Sequence, residues 1–278
     1  MNRRGGVYPR PRVYNCALGV ARYMKKVHSS EREIWISGAN PVREALCAEK
    51  IAAGELVLSR TDSRGQEIEE LAAKRGIPVT RSIRERITQL AGHTHHQGVV
   101  LRISEFSYTE LETLLEKPLA DREPLLVLDS IQDPQNLGAM LRSACFLGAK
   151  GVIIPRDRSA SVSAVVIKIA AGATAYIPVA RVTNVTRALK QLKSAGYWVA
   201  GLEVKASKRS YEADFTVPLC LVIGNEQKGI RPLVKSECDL LVQIPAAGPL
   251  DSLNAASAAT VALYEILRQR LTPGNTDD

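Results

Sequence analysis

From Ile34 onward the chain alternates short apolar runs with longer stretches in which apolar residues recur every three or four positions. The first pattern marks strands and the second marks helical faces. Ile34-Trp35-Ile36 predicts a strand, and Asn40-Pro41 predicts a helix start. Pro41 takes the first helical position, and Val42, Ala45 and Leu46 carry the apolar face to about residue 52. Strands at 55–58, 77–79 and 98–103 and helices at 66–75 and 84–90 complete a small α/β unit over residues 33–106. Residues 107–122 read as a short polar-faced helix and linker, with acids and Pro118 marking a change of domain.

After Pro124 the alternation is stronger. Strands are predicted at 125–129, 151–154, 176–179, 197–202, 219–223 and 240–244, and helices at 137–147, 162–171, 184–195 and 253–270. Apolar strands alternating with helices argue for a parallel sheet covered on both faces, with its sites at the carboxyl ends of strands. The expected fold class is α/β: a parallel-sheet domain over 123–272 behind the smaller α/β domain, with a tail at 273–278.

Composition narrows the class without naming a function. Of 278 residues, 45% are hydrophobic and 24% charged, which excludes collagen-like, disulfide-framework and disordered chains. No apolar run approaches the ~18 residues of a membrane span. Aromatics at 5% argue against a recogniser built from stacked rings. The net charge of +8 is uneven. Residues 1–32 hold eight Lys and Arg against Glu31 alone, so the rest of the chain is nearly neutral and does not itself read as a nucleic-acid binder by charge. That basic segment, with Gly5-Gly6, Pro9 and Pro11, is expected to be disordered. An organelle presequence, an RNA-attracting tail or a true start at Met24 are its alternative readings. Five scattered cysteines, none spaced as CxxC, fit small buried hydrophobes in a reducing cytoplasm. His93, His95 and His96 read as a polar loop or an RNA contact, and without Cys or acid at ligand spacing they do not argue for a metal.

Three loops carry the chemistry. After the strand at 125–129 comes Ser130 to Gly138, in which Asn136 is a candidate helix cap. Arg142 follows on a mostly apolar helix, where a guanidinium needs an anionic partner or a cavity. After 219–223 comes Gly224-Asn225-Glu226-Gln227-Lys228-Gly229-Ile230, where Gly224 permits close backbone approach by a ligand. After 240–244 comes Pro245 to Asn254, with Ser252 or Asn254 capping an alanine-rich helix. The chain has no GxGxxG, GxxxxGK[ST] or GxSxG, so dinucleotide, P-loop and hydrolase readings lose their usual support.

The set Asn136…Arg142, Ile223-Gly224-Asn225-Glu226-Gln227-Lys228-Gly229-Ile230 and Ile244-Pro245…Asp251-Ser252-Leu253-Asn254 resembles the three motifs of SpoU-type RNA ribose 2′-O-methyltransferases of the SPOUT class. Residues 33–108, ending in His96-Gln97-Gly98-Val99-Val100, resemble the RNA-binding domain that often precedes that catalytic domain and shares its fold with some ribosomal proteins. Ala246 departs from the pattern, where many relatives carry Met. The resemblance implies a trefoil knot, a homodimer with its pocket near the subunit boundary, and S-adenosylmethionine as methyl donor. By position, Gly224, Ile244 and Leu253 are implied to hold the cofactor's adenosine, and Asn136, Arg142, Glu226, Ser252 and Asn254 to line the transfer pocket. The two-domain layout is most similar to members acting on a guanosine of 23S rRNA. A tRNA substrate, or a non-catalytic RNA-binding role, are the alternatives.

A sulfonium methyl is already activated, so this chemistry needs no metal; it needs in-line positioning and removal of the hydroxyl proton. The family view makes the Arg142 equivalent the base. A guanidinium stays protonated in proteins, so Arg142 reads better as a cation that stabilises the developing alkoxide and grips an RNA phosphate. The proton would then pass to that phosphate, to water or to Glu226.

Overall fold

The computed structural model describes residues 34–47, 53–103, 106–116 and 123–271. The expectations for the basic segment 1–32, for the helix end at 48–52, for most of the linker at 117–122 and for the tail at 273–278 lie outside them.

The smaller domain runs β1 (Ile34–Ser37), α1 (Ala39–Cys47), β2 (Ala53–Leu58), α2 (Ser63–Lys74), β3 (Val79–Arg81), α3 (Arg84–Ala91) and β4 (Val99–Ile103). Its sheet has the order β1-β4-β2-β3, with β4 antiparallel to both neighbours and β2 parallel to β3. The predicted helical face holds: Ile68 and Ala72 of α2 are buried with Val42 and Ala45 of α1.

The larger domain continues with α4 (Leu111–Leu115), β5 (Leu125–Leu128), α5 (Pro134–Phe146), β6 (Gly151–Pro155), α6 (Ala164–Ala170), α7 (Ala173–Tyr176), β7 (Val179–Val182), α8 (Val185–Ser194), β8 (Trp198–Leu202), β9 (Lys208–Arg209), β10 (Leu219–Ile223), α9 (Pro232–Lys235), β11 (Leu240–Gln243) and α10 (Ala255–Leu271). Its sheet order is β7-β6-β5-β10-β8-β11-β9, and every pairing is parallel. Side chains alternate across it, as the two-residue period of a strand requires. Leu126, Leu128, Leu221 and Ile223 pack with Leu137, Leu141, Ala259 and Leu263 on the α5/α10 face. Leu125, Val127, Cys220 and Val222 pack with Ala188, Leu189 and Val234 on the α8/α9 face. Both faces are therefore buried, which is why the strands read as unbroken apolar runs.

Four expectations shift. The strand expected at 77–79 stands at Val79–Arg81, two residues later. The strand expected at 176–179 begins instead at Val179, because Ala173–Tyr176 closes into a helical turn ahead of Pro178. The expected linker is partly built into the larger domain. Thr109 bridges to Ala180, and Leu111 and Leu114, three residues apart on α4, are buried with the α8 face. Among the cysteines, Cys220 is buried but Cys47 is exposed and Cys145 and Cys238 lie between, so only Cys220 is the expected core hydrophobe; Cys16 is outside the described residues.

The three histidines part company. His96 is buried, with Nδ1 accepting from the Gly98 amide at 3.1 Å and Nε2 2.9 Å from Thr88 Oγ1. His93 Nε2 lies 2.9 Å from Ser37 Oγ, and His95 is exposed. Burial, helped by nearby Arg84 and His93, lowers the pKa of His96, and burial with Lys168 and His95 lowers that of His93. The unfolded chain then binds these protons at a higher pH than the native one. Stability is full above the unfolded value, about 6.5, and falls as pH drops below it. Urea unfolding midpoints between about pH 7.5 and 5.5 should show this loss, and His96→Gln should be less stable at the top of that range but flatter across it.

Candidate active site

The carboxyl end of β5 and the loop after β10 are locked together by an ion pair between a buried carboxylate and a half-exposed guanidinium. Asp129 is fully buried. Its Oδ2 accepts from the Arg231 amide at 2.8 Å, and its Oδ1 from Arg231 Nε at 2.7 Å, with the terminal guanidinium nitrogen at 2.6 Å. The Asp129 amide donates to the Ile223 carbonyl at 2.7 Å. Ser130 then turns through a left-handed conformation, φ 65°, and its carbonyl accepts from Asn225 Nδ2 at 3.1 Å. The first two motif loops are thus bolted to each other at their roots.

The second loop doubles back tightly. The amides of Asn225 and Gly229 each donate to the other's carbonyl, and Asn225 Oδ1 accepts from the Gln227 amide at 3.0 Å. Gly224 makes this return possible, since a Cβ there would collide with the Gly229 carbonyl carbon and the Ile230 nitrogen. The third loop, 244–253, lies opposite. Between the two opens a cavity of about 570 Å³, the size of an ordinary small-molecule site. Its walls include Ile223, Gly224, Ile244, Pro249, Leu250 and Leu253, and Glu226, Lys228, Asp251 and Ser252 bring charge and polarity.

The structure brings most of the sequence-predicted residues to this place. Gly224, Ile244 and Leu253 line the cavity, as do Glu226 and Ser252. Asn136 and Asn254 stand beside Glu226: Asn136 Nδ2 donates to Glu226 Oε1, and Asn254 Nδ2 donates to Asn136 Oδ1 at 3.0 Å. Asn254 is itself fixed as the cap of α10, its Oδ1 accepting from the Ala256 amide at 2.9 Å. A hydrogen-bonded relay therefore runs from the start of α10 through two asparagines to a carboxylate.

Asn136 is not a helix cap. Asp133 caps α5 by accepting from the Gln135 amide at 2.9 Å, with Pro134 in the first helical position, and this frees the Asn136 amide for Glu226 and Asn254. Arg142 is the residue the fold does not bring to the cavity. Six residues at 100° per residue place it about 240° around α5 from Asn136, on an exposed face. There it lines a separate hollow with Glu44, Phe146, Tyr176 and Tyr264. Sequence reasoning missed Leu202, at the end of β8, and Glu203 and Val204, which follow it; the three form another wall of the cavity. Their signal was positional: they too lie at the carboxyl end of a parallel strand next to β10.

The SpoU rRNA Methylase family matches residues 123–264, and the family described as RNA 2′-O ribose methyltransferase substrate binding matches residues 35–109. The chain belongs to the SpoU family of RNA methyltransferases. Its SpoU domain holds the cavity and the relay, and its substrate-binding match covers the smaller domain. Among its relatives is the 23S rRNA (guanosine-2′-O-)-methyltransferase RlmB of Xanthomonas axonopodis pv. citri, 40% identical over 87% of this chain and 99% of that protein. A protein of Mycolicibacterium smegmatis named as an uncharacterized tRNA/rRNA methyltransferase is 43% identical over 91% of this chain and 82% of its own length. Among solved structures, the AdoMet-bound rRNA methyltransferase from Sinorhizobium meliloti superposes with a TM-score of 0.74 at 26% identity, covering 87% of this chain and 89% of that one.

The Asp129–Arg231 pair gives a direct test of the site's scaffold. Arg231→Ala removes the guanidinium from a buried carboxylate that keeps only the residue 231 amide, and should cost about 1–3 kcal/mol of stability. Adding Asp129→Asn in the same chain should restore part of that loss. Both are read by chemical denaturation.

Proposed function

We propose that this SpoU protein transfers a methyl group from S-adenosylmethionine to a ribose 2′-hydroxyl in RNA, and that the substrate is a guanosine of 23S rRNA. The relay Asn254–Asn136–Glu226 at the edge of the cavity is the observation that carries the reading. It presents an oriented carboxylate beside a pocket large enough for a nucleoside-bearing ligand. The choice of 23S rRNA draws on the relative named RlmB, which this chain matches over nearly all of its length.

The residues present fit the cofactor. The apolar walls from Ile223, Ile244 and Leu253 suit an adenine, and the loop backbone at 224 and 244–253 offers polar groups along one side. S-adenosylmethionine, when bound, supplies a methyl activated by its sulfonium sulfur. The protein's own part is to orient and to manage a proton. Asn136 and Asn254 hold Glu226 in one rotamer, and Glu226 accepts the hydroxyl proton directly or through water. Ser252, at the mouth of the same cavity, offers a hydroxyl to the incoming ribose.

The homodimer, the trefoil knot and a cytoplasmic setting belong to the same reading. Phe146, Tyr176, Val261 and Tyr264 are exposed around the hollow that holds Arg142, an apolar face of the kind that a second copy covers. A boundary there gives Arg142 a place in the reaction that it lacks within one chain. Support for the knot is the crossed order β5-β10-β8-β11 together with the loop after β11, which returns past the β10 loop to set α10 on α5. The cytoplasm accords with four cysteines free of disulfides among the described residues, where no helix is long and apolar enough to cross a membrane.

Mapping 2′-O-methyl marks in rRNA and tRNA from cells with and without this protein tests the reaction. Loss of one guanosine mark in 23S rRNA is the expected result. Loss of a tRNA mark would redirect the substrate, and no lost mark together with no S-adenosylmethionine binding by calorimetry would leave a non-catalytic RNA binder. Arg142→Lys separates the two roles of that cation. As an alkoxide-stabilising, phosphate-gripping group, Arg142 should lose roughly tenfold or more in rate on replacement by Lys, whose point charge lacks the bidentate fork. A new titrating limb between about pH 8 and 11, with little other loss, would instead make residue 142 the base.

A further inference from the structure

The hollow around Arg142, of about 950 Å³, is lined from both domains. Arg43 and Glu44 reach it from α1 of the smaller domain, and Arg142 from α5 of the larger one. Arg43 is already paired: its Nε donates to Glu67 Oε1 of α2 at 2.6 Å. Glu44 is the only carboxylate among the described residues that line the hollow. The other titratable side chains there, at Cys47, Cys145, Tyr176 and Tyr264, are thiols and phenols. A guanidinium on a mostly apolar helix needs an anionic partner, and Glu44 is the acid that the fold places within electrostatic reach of Arg142.

The carboxylate has a seat of its own. It rests on the Gly172 backbone between α6 and α7, where an added Cβ would overlap Glu44 Oε2 and come within 3.0 Å of Cδ. Gly172, at φ 88°, follows Ala171, at φ 48°, so two successive left-handed residues bend the chain around this seat. Oε2 is buried there with no hydrogen-bond partner among the described residues. Burial pushes the Glu44 carboxyl above its ordinary range, against the pull of Arg142 and Arg43. A carboxylate buried short of donors costs stability, and packing alone gives no reason to keep it.

We propose that Glu44 is a positioning residue for the reaction: from the smaller domain it fixes the direction in which Arg142 presents its guanidinium. The inference rests on the proposed role of Arg142 as the cation that serves the alkoxide and the phosphate. Glu44 lies outside the walls of the cavity at the β10 loop, so it acts through Arg142. A second copy covering the hollow excludes water from it, and the attraction between the two charges then strengthens. The smaller domain thereby bears on the rate of transfer as well as on capture of the RNA.

Two measurements on the full chain test this, and the first needs no methyl transfer. Carbon NMR of the glutamate carboxyls, with the Glu44 signal assigned by its loss in Glu44→Gln, follows the titration of Glu44 with and without Arg142→Gln. Loss of the cation should raise the Glu44 midpoint by about 0.5 to 1 in pH, and an unmoved midpoint overturns the pairing. The second measurement compares single-turnover rates on the RNA substrate. Glu44→Gln should transfer methyl roughly tenfold more slowly. Its RNA binding should be unchanged or tighter and its thermal stability equal or higher, because one buried, poorly satisfied charge has gone. Glu44→Asp, which keeps the charge on a shorter arm, should recover part of the rate. In an Arg142→Lys background, Glu44→Gln should cost less than about threefold. A full rate in Glu44→Gln, an equal loss in both backgrounds, or a rate loss matched by lost stability and RNA binding makes Glu44 a structural residue and overturns the proposal. An unaltered chain that shows the coupled titration yet transfers no methyl counts against the proposed reaction and not against the pairing, so the two failures are told apart.

Discussion

A single buried carboxylate governs the architecture of the catalytic half. Asp129 directly follows β5 with no exposure to water, and Arg231 closes on it with both backbone and guanidinium. Burying a carboxylate alone is costly, so the loop carrying Arg231 must come to it. That requirement pulls the turn after β10 over the end of β5 and fixes where Glu226 can stand. Ser130 in its left-handed turn and Asn225 across from it add a second tie between the same two loops. The ion pair fixes the geometry of the site, and the burial of apolar strands around it supplies the stability.

The cavity inherits its precision from that junction. Gly224 allows the loop to fold back on itself, and the third loop closes the other side. Asn254 has two duties, capping α10 and holding Asn136, so the orientation of Glu226 is referred back to a seventeen-residue helix packed on the sheet. Small side chains along α10, Ala255, Ala259 and Ala262, let that helix lie close to the core. Ser143 and Thr260 meet across α5 and α10 at 2.7 Å. A carboxylate on an exposed loop is thereby given a rigid address, which a reaction that depends on in-line placement requires.

The two domains differ in how they use charge. Around the cavity, charge is sparse and carried by short loops between apolar walls. On the smaller domain, Arg60 just after β2, Arg64 in the first turn of α2 and Arg84 at the start of α3 face one hollow. The first arrangement suits a small ligand held in one pose. Arg142 belongs to neither concavity, and its exposed apolar surroundings set it apart as a surface that one chain leaves uncovered.

By itself the sequence determined the elements and the class of the fold. Unbroken apolar strands such as Leu219 to Ile223 can only be buried on both faces, and periodic faces such as Ile68 and Ala72 can only be helical. The three motif loops were legible for the same reason, since each follows such a strand. What the pattern could not determine was which loops meet. Hydrophobic period says that a strand is buried but not where it stands, so β8 next to β10, and with it Leu202–Val204 in the cavity wall, came only with the sheet order. The relay through Asn136 depended on Asp133 taking the cap, a choice between two polar residues three positions apart that propensity leaves open. The partnership of Asp129 with Arg231, 102 residues apart, and the turning of Arg142 away from the cavity were decided by tertiary packing. Long-range pairing of charges leaves no period in a sequence, because its physical cause is the shared burial that only the folded chain creates.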